Sequence, residues 1–183
     1  MSELTFPTVQ PVLETTRLIL RPFTLADAPA LQREAGDADV ANTTCNIPHP
    51  YPDGAATEFI AAQTLTYALG EEAGFAIVLR TEDRLIGAAG LRITRRFLRA
   101  ELGYWIAKSC WGRGYATEAA RAVVEFGFHT LGLHKIEAQY FTRNPASGRV
   151  MQKIGMTEEG VLRDHVHRDG RFEDVATCGL IKS

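Results

Sequence analysis

Apolar residues recur along this chain in two rhythms, and the breaks between them mark the elements. From Arg17 to Phe23, Leu18 and Leu20 alternate with Arg17, Ile19 and Arg21, the period-two spacing of a strand, which Pro22 brings to an end. Asp27, with Pro29 close behind it and Leu31 following, is expected to cap a helix. Pro48, Pro50 and Pro52 make Asn42–Pro52 a loop, and Asp53 is expected to cap a second helix carrying Phe59, Ile60, Gln63 and Tyr67. Phe75–Leu79 and Leu85–Ile93 read as strands joined by the polar turn Thr81-Glu82-Asp83, and Arg95-Arg96 turns the chain into a strand over Ala100–Ile106. A short glycine loop leads into a long helix with Ala120, Val124, Phe128 and Leu131 on one face. The strand Lys135–Phe141, a helix from about Ala146 to Ile154, and two strands near Val161–His167 and Phe172–Ile181 complete the series. Residues 1–12, with Pro7 and Pro11, read as a loose arm.

The resulting order, β-α-α-β-β-β-α-β-α-β-β, excludes a purely parallel sheet. Three hairpin-linked strands need antiparallel pairing, and the strand–helix–strand crossover after them needs a parallel one. The fold class is therefore α/β (α+β) with a mixed, mostly antiparallel sheet. At 183 residues the chain is one domain's worth, and no repeat or low-complexity segment divides it. A formal net charge of −2 argues against a general nucleic-acid binder. No apolar run approaches the ~18 residues that span a bilayer, so no membrane partner is expected. Cys45, Cys110 and Cys178 are far apart and odd in number, as reduced thiols of a cytoplasmic protein would be.

The densest chemistry lies in Glu101–Ala120. A strand with Leu102, Tyr104 and Ile106 alternating enters Trp111-Gly112-Arg113-Gly114-Tyr115-Ala116-Thr117, and a helix begins at once. Strand, glycine loop and helix start together aim unpaired backbone N–H groups at an anion, and glycines let the main chain approach it closely. The loop reads as a pyrophosphate cradle. A P-loop would need Lys and then Ser or Thr after the last glycine, where Tyr115-Ala116 stand, and Thr117 occupies the position of a dinucleotide motif's third glycine.

The same run resembles the acyl-CoA loop of the GNAT acetyltransferase superfamily, most closely the RimJ/RimL branch that acetylates ribosomal-protein N-termini. Trp111 departs from that pattern, standing where Gln or Arg is usual. The resemblance spans roughly Leu13 to Ile181, with a second specific stretch from Asn144-Pro145-Ala146-Ser147 to Lys153-Ile154-Gly155-Met156. It implies a three-layer domain with the cofactor wedged between two splayed strands. Acetyl-CoA is then the co-substrate, an amine the acceptor, and no metal is required. The resemblance places the pantetheine arm along the main chain at Ile106 and against Asn144, and puts Ser147 near the sulfur to return a proton to the departing thiolate. The strand at Trp105–Ile106 is expected to offer an N–H to the oxyanion. Arg113 and Thr117 can add side-chain donors to the cradle.

Four further residues carry competing readings. Glu101 is either the base that takes the amine's proton or an exposed partner of nearby Arg99. Cys110, just before a helix, permits a covalent route, although the resembling family transfers directly. His165 and His167 would share a face on a strand, but without a third ligand they are surface or substrate-lining groups rather than a metal site. Acceptors range from a protein N-terminus to a small amine such as a polyamine, amino acid or antibiotic, and a non-catalytic acyl-CoA-binding module is the third reading. A homodimer stays open.

Overall fold

In the computed structural model, which describes residues 4–182, the first elements are β1 (Leu13–Glu14), β2 (Leu18–Arg21), α1 (Ala28–Ala35), α2 (Ala38–Asn42) and α3 (Ala55–Ala68). The hairpins β3 (Glu72–Leu79), β4 (Arg84–Thr94) and β5 (Arg99–Ile106) follow, then α4 (Tyr115–Glu125) and β6 (Lys135–Phe141). The chain ends in α5 (Pro145–Lys153), β7 (Thr157–Arg168) and β8 (Arg171–Ile181). The strands form one eight-stranded sheet in the order β1-β2-β3-β4-β5-β6-β8-β7. Every neighbouring pair is antiparallel except β5 and β6, which α4 connects. This is the mixed, mostly antiparallel sheet expected from the element order.

Strand alternation sorts the side chains into two layers. Phe75, Ile77, Leu91 and Leu102 join Ala119, Ala120 and Val123 of α4 and Met151 of α5 in the main core. On the other face Ala76, Val78 and Leu85 pack with Ile19, Phe23, Ala30 and Trp105 in a smaller cluster. The sheet therefore has α4 and α5 on one face and α1 and α3 over the other. Gly127 explains how closely α4's extension presses on the sheet: a Cβ there would lie 2.8 Å from Cδ1 of both Ile136 and Leu91. The helix passes this point as a π-turn, Phe126–Thr130, with Leu131 N–H bonded to Phe126 C=O. Phe128 and Leu131 are buried as the periodicity predicts.

Three expectations need correction. The arm is irregular but not loose: Thr5 N–H bonds Leu131 C=O, Phe6 packs on Tyr67 with ring centroids 4.9 Å apart, and Gln10 Nε2 donates to Gly74 C=O. Apolar Leu4 and Phe6 cover core edges, which a composition rich in proline does not reveal. Residues 1–3 of the arm lie outside the described residues. The cap of α3 is Gly54 rather than Asp53, because the chain enters that helix at φ +82°, a left-handed conformation that suits glycine. The third correction concerns the loop before it, which is displaced along the chain: Asp37 caps the short α2, accepting from the N–H groups of Asp39 and Val40, this helix reaches Asn42, and the loop runs on to Gly54.

Candidate active site

The sheet opens at one place. The β5–β6 ladder runs from Arg99–Lys135 to Leu102–Ala138 and stops, while β5 stays paired to β4 as far as Ile106 and β6 to β8 as far as Phe141. Ala107 N–H donates to Ile86 C=O, so antiparallel alternation turns the peptide groups of Trp105 toward β4 and those of Tyr104 and Ile106 toward the opening. Of the two residues expected to offer an N–H there, Ile106 is the one whose peptide faces the gap. Its carbonyl accepts from Trp111 Nε1 at 2.7 Å, so the unusual tryptophan ties the glycine loop to the strand it leaves.

Gly112 and Gly114 both take positive φ, +72° and +80°, and Gly114 is the N-cap of α4. The first helical N–H to find an acceptor within the helix is that of Glu118, on Gly114 C=O, which leaves those of Tyr115, Ala116 and Thr117 pointing outward. Such a set of donors suits a pyrophosphate. An adjoining groove of about 570 Å³ is lined by Arg17, Thr117, Arg121 and Lys153 among others, and so supplies cationic side chains beside the cradle. The Arg113 carbonyl accepts from Arg17 Nη1 at 2.9 Å, which ties the loop to the turn before β2.

Glu118 anchors this end of α4. Its carboxylate accepts from Thr15 Oγ1 at 2.7 Å, the Arg17 N–H at 2.8 Å and Arg17 Nε at 2.6 Å. Arg17 also lies 4.5 Å from the centre of the Tyr115 ring. Burial works to raise the Glu118 carboxyl's pKa, but the hydrogen bonds from Thr15 and Arg17 outweigh it and hold the group below the usual carboxylate range. Its partners lie about a hundred residues away in the chain, beyond the reach of any local sequence signal.

Asn144 and Ser147 sit at the start of α5. Asn144 Oδ1 accepts the Ser147 N–H at 3.4 Å and Nδ2 donates to Thr43 C=O at 3.4 Å, so the carboxamide caps the helix and joins it to the loop after α2. The Ser147 hydroxyl is 2.8 Å from the Tyr104 hydroxyl, whose one proton has a second acceptor within reach in Ser147 C=O at 3.1 Å. Burial pushes the Tyr104 phenol up to about 12, with the Ser147 hydrogen bond opposing. Tyr104 thus belongs to the site and not only to the core. Cys110 is 2% exposed within the main core, with Arg84 Nη2 3.8 Å from its sulfur.

A cavity of about 550 Å³ runs from this opening to the α1–α3 face. Residues 43–48 and Tyr51, Phe59 and Gln63 line it. Glu101 also lines it, but its partner is Arg92, 2.8 Å away on β4, and not Arg99, which pairs with Glu137 on β6. The reason is register: Glu72, Arg92 and Glu101 are directly opposed on β3, β4 and β5, whereas Arg99 is two residues along the same strand. Glu72 was not distinguished in the sequence from other scattered acids. Its carboxyl is pushed up by burial, with Arg92 pulling the other way. His165 lines the cavity, while His167 packs on Phe172 instead, with ring centroids 4.9 Å apart. Among the described residues no group of three or more His, Cys, Asp or Glu is placed to hold a metal ion.

Comparison with known proteins bears on the same region. Residues 17–157 match the family model of the acetyltransferase (GNAT) domain. An N-acetyltransferase of Bacillus licheniformis, p20, is 33% identical over 172 residues, covering 93% of this chain and 96% of that protein. The [ribosomal protein uS5]-alanine N-acetyltransferase of Escherichia coli is 31% identical over 101 residues, 54% of this chain and 52% of that protein. Among solved structures, RimL, a ribosomal L7/L12 α-N-protein acetyltransferase in complex with coenzyme A, superimposes with a TM-score of 0.86. That match covers 93% of this chain and 98% of RimL at 18% identity, a likeness of fold.

Proposed function

The chain belongs to the GNAT acetyltransferase family, and from that premise we propose that it moves the acetyl group of acetyl-CoA to a primary amine, chiefly a protein N-terminal amine, within one ternary complex in the cytoplasm. The observation that carries this reading is the opening beyond Leu102–Ala138, with the glycine cradle at one mouth and the cavity at the other. Acetyl-CoA supplies an activated thioester carbonyl. The N–H groups of Tyr115–Thr117 bind its pyrophosphate, with Arg17, Arg121 and Lys153 alongside, and the free edge of β5 at Tyr104 and Ile106 aligns its pantetheine arm.

The acceptor nitrogen must be neutral to attack, so one proton leaves it as the new C–N bond forms. Glu101 takes that proton through a water, because on β5 it lies one residue before the end of the ladder, closer to the opening than Glu72 on β3. As the C–S bond breaks, the Ser147 hydroxyl gives its proton to the thiolate, and Tyr104, bonded to Ser147, replenishes it. The Ile106 N–H faces the carbonyl oxygen's side of the gap and stabilises the charge that develops there.

A small-molecule amine is the second reading, favoured by the modest cavity volume of about 550 Å³. A polycation fits less well, because Arg92 stands between the two carboxylates Glu72 and Glu101. The paired hydroxyls of Tyr104 and Ser147 argue for catalysis over a binding module. Thiol release from acetyl-CoA, measured against panels of N-terminal peptides, amino acids, polyamines and aminoglycosides, tests the reading. Transfer to peptide α-amines is expected, and release with none of the panel would overturn it.

A further inference from the structure

The cavity floor is a strip of bare backbone. Gly74, Gly90 and Gly103 stand directly opposite one another on β3, β4 and β5, and all three line the cavity. Opposed residues share a face and adjacent strands lie ~4.8 Å apart, so the strip is roughly 10 Å across. Along the strands it is bounded on one side by the row Glu72–Arg92–Glu101 and on the other by Ala88 and Trp105. Phe23 and Phe59, edge to face at 5.4 Å, and Tyr51 add apolar walls.

The three glycines are there for different reasons. A Cβ on Gly90 would lie 2.8 Å from the Ala73 carbonyl oxygen and 2.9 Å from the Gly74 Cα, so strand packing excludes one. A Cβ on Gly74 would overlap the carboxamide of Gln63. At Gly103 it would meet nothing within 4 Å, so neither packing nor backbone conformation calls for glycine at that position. Gln63 closes the far end of the strip. It is 7% exposed, and its Oε1 has no hydrogen-bond partner, an omission that typically costs about 1–3 kcal/mol. Gln63 Oε1 itself covers Gly74, so the open floor over Gly90 and Gly103 and the orphaned acceptor at its end together describe a ligand.

We infer that this strip is the acceptor's slot, taking a flat aromatic ring close to the reacting amine, with an N–H or O–H on the ring's far edge donating to Gln63 Oε1. The inference rests on the preceding reading of the cavity as the acceptor side. The amine lies over Gly103, next to the opening; the ring lies over Gly90, and its polar edge reaches Gln63 beside Gly74. The same chemistry is offered by the N-terminal Tyr or Trp of a peptide and by a free arylalkylamine.

The test compares kcat/KM for tyramine against phenethylamine, and for peptides beginning with Tyr, Phe or Gly, with binding of each amine followed by calorimetry. The hydroxylated ring should be preferred by about tenfold or more, since a site built to hydrogen-bond a group rejects the analogue lacking it. Gln63→Leu should abolish that preference while leaving phenethylamine turnover nearly unchanged. Gly103→Val should lose transfer to every acceptor, because the amine lies over that residue, but keep acetyl-CoA affinity. The peptide and free-amine arms identify the source of the ring. Preference for the Gly peptide over every ring acceptor, or a hydroxyl preference that survives in folded Gln63→Leu, overturns the slot and leaves acetyl transfer standing. Ring amines that bind at Gln63 without being acetylated support the slot and overturn the transfer reading.

Discussion

Ser147 and Tyr104 share a 2.8 Å hydrogen bond, so a change to either hydroxyl is felt by both. With its phenol at about 12, Tyr104 stays protonated across neutral pH and can pass a proton to Ser147 only as Ser147 gives one up. Ser147→Ala is therefore expected to lower kcat by about 10²-fold, the low end for a general acid, with a smaller rise in the KM for acetyl-CoA. Steady-state kinetics checks this, and a change confined to KM would reduce Ser147 to a helix-start contact. Glu101 is a different case, because its side chain is 41% exposed and its bond to Arg92 is a surface pair worth ~0–1 kcal/mol. Glu101→Gln should leave the melting temperature almost unmoved and depress turnover about tenfold. Wild-type turnover in that variant over roughly pH 6–9 would move the proton acceptor to Glu72 or His165.

At the scale of elements, the glycine loop and α4 act as one unit because the turn between β1 and β2 fastens them. Gly114→Val forces a β-branched residue into φ near +80°, at a strain of about 1–3 kcal/mol, and distorts the donors next to it. Acetyl-CoA affinity measured by calorimetry should fall by several kcal/mol, given ~1.5–3 kcal/mol for each charge-assisted bond. Unchanged affinity in a folded variant would remove the cradle from the mechanism. The Glu118 anchor adds a pH dependence whose sign follows from its depressed pKa. A carboxyl held lower in the folded state contributes its stability above the unfolded value, and that contribution is lost as pH falls through the folded one. Thermal melts on the acid side should therefore decline with Glu118 in place, and less steeply in Glu118→Gln, whose neutral-pH stability is already reduced.

For the molecule as a whole, the proposed direct transfer rests on where the two substrates and Cys110 lie relative to the sheet. On the proposed reading both substrates reach the β5–β6 opening, whereas Cys110 is sealed in the core on the α4 side of the sheet. Cys110→Ala should keep most of its activity and give intersecting initial-rate patterns. An acetylated Cys110 found by mass spectrometry would refute this. No described helix is long and apolar enough to cross a membrane.

Sequence alone determined what depends on near neighbours in the chain. Period-two runs located β2 and β5, a proline-rich stretch located most of the loop before α3, and Gly112 with Gly114 before an apolar helix face located the glycine turn that starts α4. Those signals are local because backbone conformation and facial periodicity are set within a few residues. Register is not, since nothing in one strand states which residue of the next will face it. Only the tertiary structure decided that Glu101 meets Arg92 rather than Arg99, that Glu118 holds Thr15 and Arg17, and that Tyr104 reaches Ser147. The alignment of Gly74, Gly90 and Gly103 into one floor is of the same kind. Each glycine is unremarkable in its own strand, and it is strand pairing, driven by burial of the opposite face, that makes them a surface.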